Sequence, residues 1–392
     1  MLTGLMPVRS PLPASAVAAG FLALLSPRRA EAARAEIEAV LCADADRRIL
    51  LVDSGTSALS LGLRCTASTP ARPVAIPAFA CYDIATAIDG AGVPFVLYDI
   101  DPATLGPDME SLRRALAAGA DRIVVVHLYG IPVDLSAVSG LAREYGATVI
   151  EDAAQGAGAT WEGRPLGRHG SLGVLSFGRG KGVTGGRGGA LIGNDPFGRE
   201  VLLRAQCCVG TSSTSAREVL ALTAQWLLAR RALYWIPVSL PFLGLGETTS
   251  LPPHRATAVS ALSLGVLSRT ERGVAREAER RRRHAARLLA QLNPARLHPV
   301  RPINGSTPGY LRLPVLLREV LRVRDASQAR RLGIMPSYPR ILADLDGFGA
   351  RQLGGSRDFP GAIALAERLI TLPVHSALTD GDLTRLEEWC RA

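Results

Sequence analysis

Between Ser171 and Asn194 the chain reads SLGVLSFGRGKGVTGGRGGALIGN. The opening apolar run, SLGVLSF, has the length and composition of a buried strand. A glycine-dense turn follows, and the chain then returns to a second apolar run, GALIG. Glycines at this density let the backbone approach a ligand closely. Lys181 stands in the middle of the turn and is the only lysine in the chain; of the 45 Lys+Arg residues, the other 44 are arginine. Arginine supplies charge and hydrogen bonds, but it does not lose its proton near neutral pH and so does not attack a carbonyl. A lysine tuned by its surroundings does, forming a Schiff base. The alternative is a residual surface lysine, and the glycine context argues against it.

The rest of the first half alternates strands with helices. RILLVDSGTSALSLGLR (48–64) reads as strand, turn and helix start. PVAIPAFACYDIATAI (73–88) reads as strand, turn and helix, and VPFVLYDIDPATLGPD (93–108) as strand and turn. DRIVVVHLYGIPVDL (121–135) gives a buried strand ending at His127 and Gly130, and LAREYGATVIEDAAQGAGA (141–159) a helix and a strand ending in Glu151-Asp152. Such alternation predicts a mostly parallel α/β sheet. In such sheets ligands bind at the carboxyl ends of the strands, where Ser54–Ser57, His127 and Asp152 fall.

At 392 residues the length suggests two domains, divided here as 1–267 (N-terminal arm and large α/β domain) and 268–392 (linking helix and smaller α+β domain). The net charge is +10, but the arginines are spread along the chain and no zinc spacing or basic–aromatic interleaving accompanies them. Neither nucleic-acid binding nor a metal site is expected. Six cysteines without framework spacing suit a reduced, cytoplasmic protein. Arg9 followed by AVAAGFLALL imitates a signal peptide, yet the run passes directly into AEAARAEIEAVL, so 14–42 is read as helical and part of the fold. Residues 218–246 are apolar, but Arg230, Arg231, Pro237 and Pro241 interrupt them. No run approaches the roughly 18 residues of a membrane span. A helical hairpin at a dimer seam is the favoured reading, with Trp226, Tyr234 and Trp235 at a membrane surface as the alternative. SRTERGVAREAERRRRHAARLLAQL (268–292) reads as one charged helix with Arg280–Arg283 in solvent. Beyond it, YLRLPVLL (310–317), a helix near 325–332 and helices over 360–392 make up the smaller domain.

Asp152 at a strand end can cap a helix, and Ser54 can do the same. Together with a unique lysine they suggest something sharper. Pyridoxal phosphate needs a lysine for its aldehyde, a cup for its phosphate and a carboxylate facing its pyridine nitrogen, which keeps the ring an electron sink. SGT at a helix start is a candidate cup.

The motifs SGTSAL (54–59), PAF (77–79), DIDPATL (99–105), HLYG (127–130), EDAAQ (151–155), SFGRGK (176–181), GRGG (186–189), YP (338–339) and ERLITLPVHSALTD (367–380) occur in order. In this set and spacing the chain resembles the DegT/DnrJ/StrS-type pyridoxal-phosphate aminotransferases over nearly its whole length. The resemblance implies the fold type I, aspartate-aminotransferase-like architecture and a homodimer. It implies that Lys181 holds the cofactor, Asp152 faces the pyridine nitrogen, Gln155 bonds the ring hydroxyl and Ala154 packs on one ring face. Gly55, Thr56 and Ser176 would hold the phosphate. The implied reaction moves an amino group from an amino acid, expected to be glutamate, to a keto acceptor, expected to be a nucleotide-linked keto-sugar. Three positions depart from the family pattern. Arg187 stands in GRGG where GEGG is usual. Cys81 takes the place of a ring-stacking aromatic, for which Tyr82 is the expected substitute. The interface asparagine would fall near Pro252. These departures keep two alternatives open: a non-catalytic homologue retaining the fold, and another pyridoxal-phosphate reaction on a lipid-linked or other substrate.

Overall fold

The computed structural model describes residues 4–42, 47–67, 69, 72–230, 233, 252–320, 323–354 and 358–392. Its centre is a seven-stranded sheet made of β1 (Arg48–Val52), β2 (Val74–Pro77), β3 (Phe95–Tyr98), β4 (Arg122–Val126), β5 (Thr148–Asp152), β8 (Leu172–Ser176) and β9 (Gly189–Gly193). The order across the sheet is β1-β9-β8-β5-β4-β2-β3. From β8 through β3 the neighbours are parallel, and β9 runs antiparallel to both β8 and β1. Residues 177–188 join β8 to β9 as a glycine-rich turn without a helix, and so return the chain antiparallel rather than through a helical crossover. The strands VAIP, RIVVV and, at the sheet's edge, FVLY are buried at every position, as expected where helices cover both faces of a parallel sheet. Helix Gly55–Thr66 packs on β8 and β9, and its N-terminus points to the carboxyl ends of the parallel strands.

Two short strands, β6 (Thr160–Trp161) and β7 (Arg164–Pro165), form a ribbon with β11 (Ser306–Thr307). A second sheet, antiparallel throughout, has the order β10 (Leu297–Pro299), β12 (Leu313–Leu317), β14 (Leu369–Leu372), β13 (Met335–Pro336). The helix Asp380–Arg391 packs on helix Val274–Leu289. An N-terminal arm, residues 4–13, ties this region to the large sheet. Leu5 N–H donates to Arg331 C=O at 2.9 Å, Met6 C=O accepts from His375 Nε2 at 2.9 Å, and Ser10 Oγ accepts from Gly180 N–H at 2.9 Å.

Several local expectations change. The helix expected over 14–42 is two, Ala14–Leu24 and Pro27–Leu41, because proline begins a helix readily but does not continue one. The single charged helix over 268–292 is divided by a 3-10 turn, Glu271–Gly273, into Ala261–Thr270 and Val274–Leu289. Arg281 is buried rather than solvated: it shares the inward face with Ala278, Ala285 and Leu288, and its guanidinium donates to Gly309 C=O (2.8 Å) and Ala157 C=O (2.7 Å). The segment LITL, placed among C-terminal helices, is β14. Of the apolar stretch 218–246, helix Ala216–Leu228 is seen, with Arg230 stacked 4.2 Å over the Trp226 ring; residues 231–232 and 234–251 lie outside the described residues. Among the described residues no helix is long and apolar enough to cross a membrane.

Candidate active site

The carboxyl ends of β4, β5 and β8 and the start of helix Gly55–Thr66 converge on a cleft of ≈ 440 Å³, its open mouth included. Gly55, Thr56, Asp152, Ala154, Gln155, Ser176 and Lys181 all line it, together with Leu59, Cys81, Asp83, Ile84 and Val126. Residues separated by more than 120 positions thus share one wall, which is what the strand-end argument requires.

The helix start forms one end of the cleft. Ser54 is the N-cap, and its Oγ accepts from Ser57 N–H at 3.0 Å. The Thr56 N–H and the Ser176 hydroxyl make no hydrogen bond among the described residues, while the bridge between Ser54 and Gly188 turns Gly55 N–H toward Gly188 C=O. Unpaired N–H groups at a helix N-terminus attract anions. A Cβ at Gly55 would lie 2.8 Å from Ser176 Cβ, so only glycine leaves this cup open. At Gly189 a Cβ would meet the Gly55 nitrogen at 2.4 Å, which explains the glycine pair closing the turn.

At the other end stands Asp152, the last residue of β5. Its Oδ1 accepts from Ala154 N–H at 2.9 Å, and its Oδ2 has no partner among the described residues. Burial raises the Asp152 pKa, against the Ala154 N–H and the Lys181 charge. A desolvated carboxylate in this state calls for a cation or a charged N–H donor. Gln155 is oriented by two bonds: its Oε1 accepts from Tyr129 N–H at 2.8 Å, and its Nε2 donates to the Tyr338 hydroxyl at 3.0 Å. One Nε2 hydrogen remains for the cleft. Tyr129 adopts φ 56°, a left-handed conformation rare for a bulky residue, and is stacked on Tyr338 with ring centroids 6.3 Å apart.

Behind Asp152 lies a buried carboxylate, Glu151. Its oxygens accept from Gly167 N–H (2.6 Å), His169 N–H (2.7 Å), Gly170 N–H (3.2 Å) and His127 Nε2 (2.9 Å). Val133 N–H donates to His127 Nδ1 at 3.2 Å, so the ring proton sits on Nε2. Burial alone would raise the Glu151 pKa, but His127 and the amides outweigh it and hold it below the usual value. Glu151 fastens the turn at 167–170 to the strand that presents Asp152.

Tyr82 is not part of the cleft lining. Its ring is buried, and its hydroxyl accepts from Arg340 N–H at 2.9 Å and faces Arg340 C=O at 3.1 Å. Cys81 occupies that wall, and Tyr82 is turned into the core. Asp83, which no sequence pattern singled out, lies beside it and accepts from the Cys81 thiol at 3.4 Å. The clue was a carboxylate two residues after Cys81 at a helix start. Arg187 pairs with Asp53 at 3.6 Å, and His254 Nε2 meets the same carboxylate at 2.7 Å. The described residues contain no cluster able to hold a metal ion.

Comparison with known proteins identifies a family and a shared fold. The DegT/DnrJ/EryC1/StrS aminotransferase family matches residues 34–389. An L-glutamine:scyllo-inosose aminotransferase of Streptomyces griseus is 36% identical over 155 residues, 40% of this chain and 36% of its own length. An L-glutamine:2-deoxy-scyllo-inosose aminotransferase of Streptomyces kanamyceticus is 32% identical over 226 residues, 56% and 53% of the two chains. The matched part is thus about half or less of these relatives' length. The putative sugar aminotransferase Spr1654 of Streptococcus pneumoniae, in its PMP form, superposes with a TM-score of 0.79 at 18% identity, covering 99% of this chain and 97% of that one, and so shares the fold.

Proposed function

This chain belongs to the DegT/DnrJ/EryC1/StrS aminotransferase family, and we propose that it moves an amino group from an amino acid to a polyhydroxylated ketone with pyridoxal phosphate held around Lys181. The observation that carries the proposal is one cleft. The chain's unique lysine, a helix start with the Thr56 N–H and the Ser176 hydroxyl unpaired among the described residues, and a carboxylate with one unpartnered oxygen all line it. A planar, phosphate-bearing pyridine aldehyde needs those three features.

In this reading Gly55 and Thr56 N–H and Ser176 Oγ bind the phosphate. Asp152 Oδ2 takes the pyridine N–H, while Oδ1 stays fixed by Ala154. Gln155 Nε2 donates its remaining hydrogen to the ring hydroxyl, and Ala154 covers one face. The cofactor supplies an electron sink that makes a proton on the amine-bearing carbon removable. Lys181 Nζ is the amine placed to take that proton and return it. Donor and acceptor enter by the mouth where Cys81 and Asp83 stand.

L-Glutamine and inososes appear in two relatives' names, so glutamate and glutamine are the donors to test, and inososes and nucleotide-linked keto-sugars the acceptors. We read the protein as a homodimer, with Leu220 and Leu227, exposed on helix Ala216–Leu228, in the seam. Borohydride reduction of the yellow protein followed by peptide mapping tests the central claim. A pyridoxyl group on Lys181 is expected; a label elsewhere, or active protein with none, overturns it. Loss of visible absorbance on adding glutamate or glutamine identifies the donor.

A further inference from the structure

We propose that Asp83 recognises the acceptor, its carboxylate receiving two adjacent hydroxyls of the polyhydroxylated ketone. The inference rests on the aminotransferase reading and deepens it.

Two aspartates line the cleft, Asp83 and Asp152. The inner one has its backbone anchor at Ala154. Asp83 is exposed at the mouth, and among the described residues its only hydrogen bond comes from the Cys81 thiol at 3.4 Å. A thiol is a weak donor, and a carboxylate offers about four acceptor sites. No arginine or histidine pairs with Asp83 among the described ion pairs, in a chain that carries 45 basic residues against 35 acidic ones. The bland account is an acidic residue in the first turn of helix Asp83–Ala91, stabilised by the helix dipole. That account explains the charge but not the placement. The Asp83 carboxylate caps no N–H of its own helix; it lies on the cleft wall.

The neighbours set the ligand class. Ile84 and Cys81 flank Asp83 on the same wall and give it apolar and weakly polar surface. A cyclitol or sugar ring has a C–H face for such surface and an O–H edge for a carboxylate. Two oxygens on one carbon accept from two vicinal hydroxyls at once, as they do from the paired N–H groups of a guanidinium. A phosphate or a donor carboxylate would be repelled here, so the anionic parts of either substrate lie away from this wall. With Tyr82 buried, Cys81 and Asp83 are among the side chains that this wall brings to the cleft lined by Lys181.

The test uses purified holoenzyme and scyllo-inositol, a polyol with no ketone that binds without reacting. Saturation-transfer NMR should show ring-proton signals with the wild type. They should be lost with Asp83→Asn and retained with Asp83→Glu. For scyllo-inosose, Asp83→Asn should raise KM about tenfold to a hundredfold, the range for losing hydrogen bonds to a charged group, and change kcat far less. Equal polyol signals in wild type and Asp83→Asn, or none in the wild type, overturn the proposal. So does conversion of Asp83→Asn to monomers by light scattering, which would assign Asp83 to a subunit seam. Each of these failures occurs with Lys181 still labelled by borohydride, whereas failure of the aminotransferase reading shows as absence of that label.

Discussion

Replacing Glu151 by glutamine keeps the shape of a fully buried side chain and removes its charge. In the native protein four donors converge on its two oxygens: Gly167 N–H and His127 Nε2 on one, His169 N–H and Gly170 N–H on the other. An amide has one oxygen, so whichever way it turns, its NH2 faces two N–H donors. Two charge-assisted bonds are lost and two buried donors are left unpaired. At about 1–3 kcal/mol for each of the two unsatisfied buried groups, the cost is about 2–6 kcal/mol. The depressed pKa sets the pH window. A carboxyl whose folded pKa lies below its unfolded value stabilises the fold above the unfolded pKa, and that contribution fades as pH falls through the folded one. The penalty of Glu151→Gln should therefore be full at pH 7 and shrink toward pH 3. Equilibrium urea unfolding followed by circular dichroism measures it. Because the 167–170 turn braces the strand that ends in Asp152, cofactor absorbance should fall at lower urea than the far-ultraviolet signal. A loss below about 1 kcal/mol at pH 7 would refute the reasoning, since two orphaned buried N–H groups cannot cost so little.

Lys181→Arg should fold normally by circular dichroism yet lack the visible absorbance and the borohydride label, because a guanidinium does not condense with an aldehyde; a labelled variant would contradict the role. Asp152→Asn should slow the donor half-reaction by roughly 10²–10⁴-fold in stopped-flow absorbance, through loss of the charge opposite the ring nitrogen; near-normal rates would remove Asp152 from the site. Burial raises the Glu271 carboxyl to about 7, although Arg168 pulls it down. Its neutral form therefore stabilises the fold below the unfolded pKa of 4.5, and that contribution is lost as pH rises through about 7. Glu271→Gln should gain about 1–3 kcal/mol over wild type at pH 8 and little at pH 5; equal melting-temperature differences at both pH values would sink this account.

The large sheet was legible because its strands are short apolar runs punctuated by glycine and proline, and burial on both faces demands that pattern. Lys181 stood out by chemistry, as the amine among arginines, and the cup and Asp152 by their places at helix and strand ends. Other features depend on what packs where. Arg281 belongs to a run of four arginines, and only tertiary contact shows that one of them faces Gly309 and Ala157. The burial of Tyr82 turns on Arg340, 258 positions away. Asp83 carries no pattern of its own; a single carboxylate at a helix start reads as a dipole partner until the cleft is seen. The strand LITL is four residues directly after a helix, with no turn signal between them.

The arm that joins Ser10 to Gly180 and Met6 to His375 sets an order of assembly during synthesis. The Met6–His375 bond spans 369 positions. Met6 therefore waits for His375 to be made before this contact can form. Until then the Ser10 clamp on Gly180, in the loop bearing Lys181, has no anchored Met6 beside it. Closing so long a loop costs more entropy than closing a short one, though the increase is only logarithmic. A nascent chain can thus build the parallel sheet early while its lysine loop stays loose. A chain cut before His375 would hold Ser10 on Gly180 without the Met6–His375 anchor beside it, and so would present a looser lysine loop.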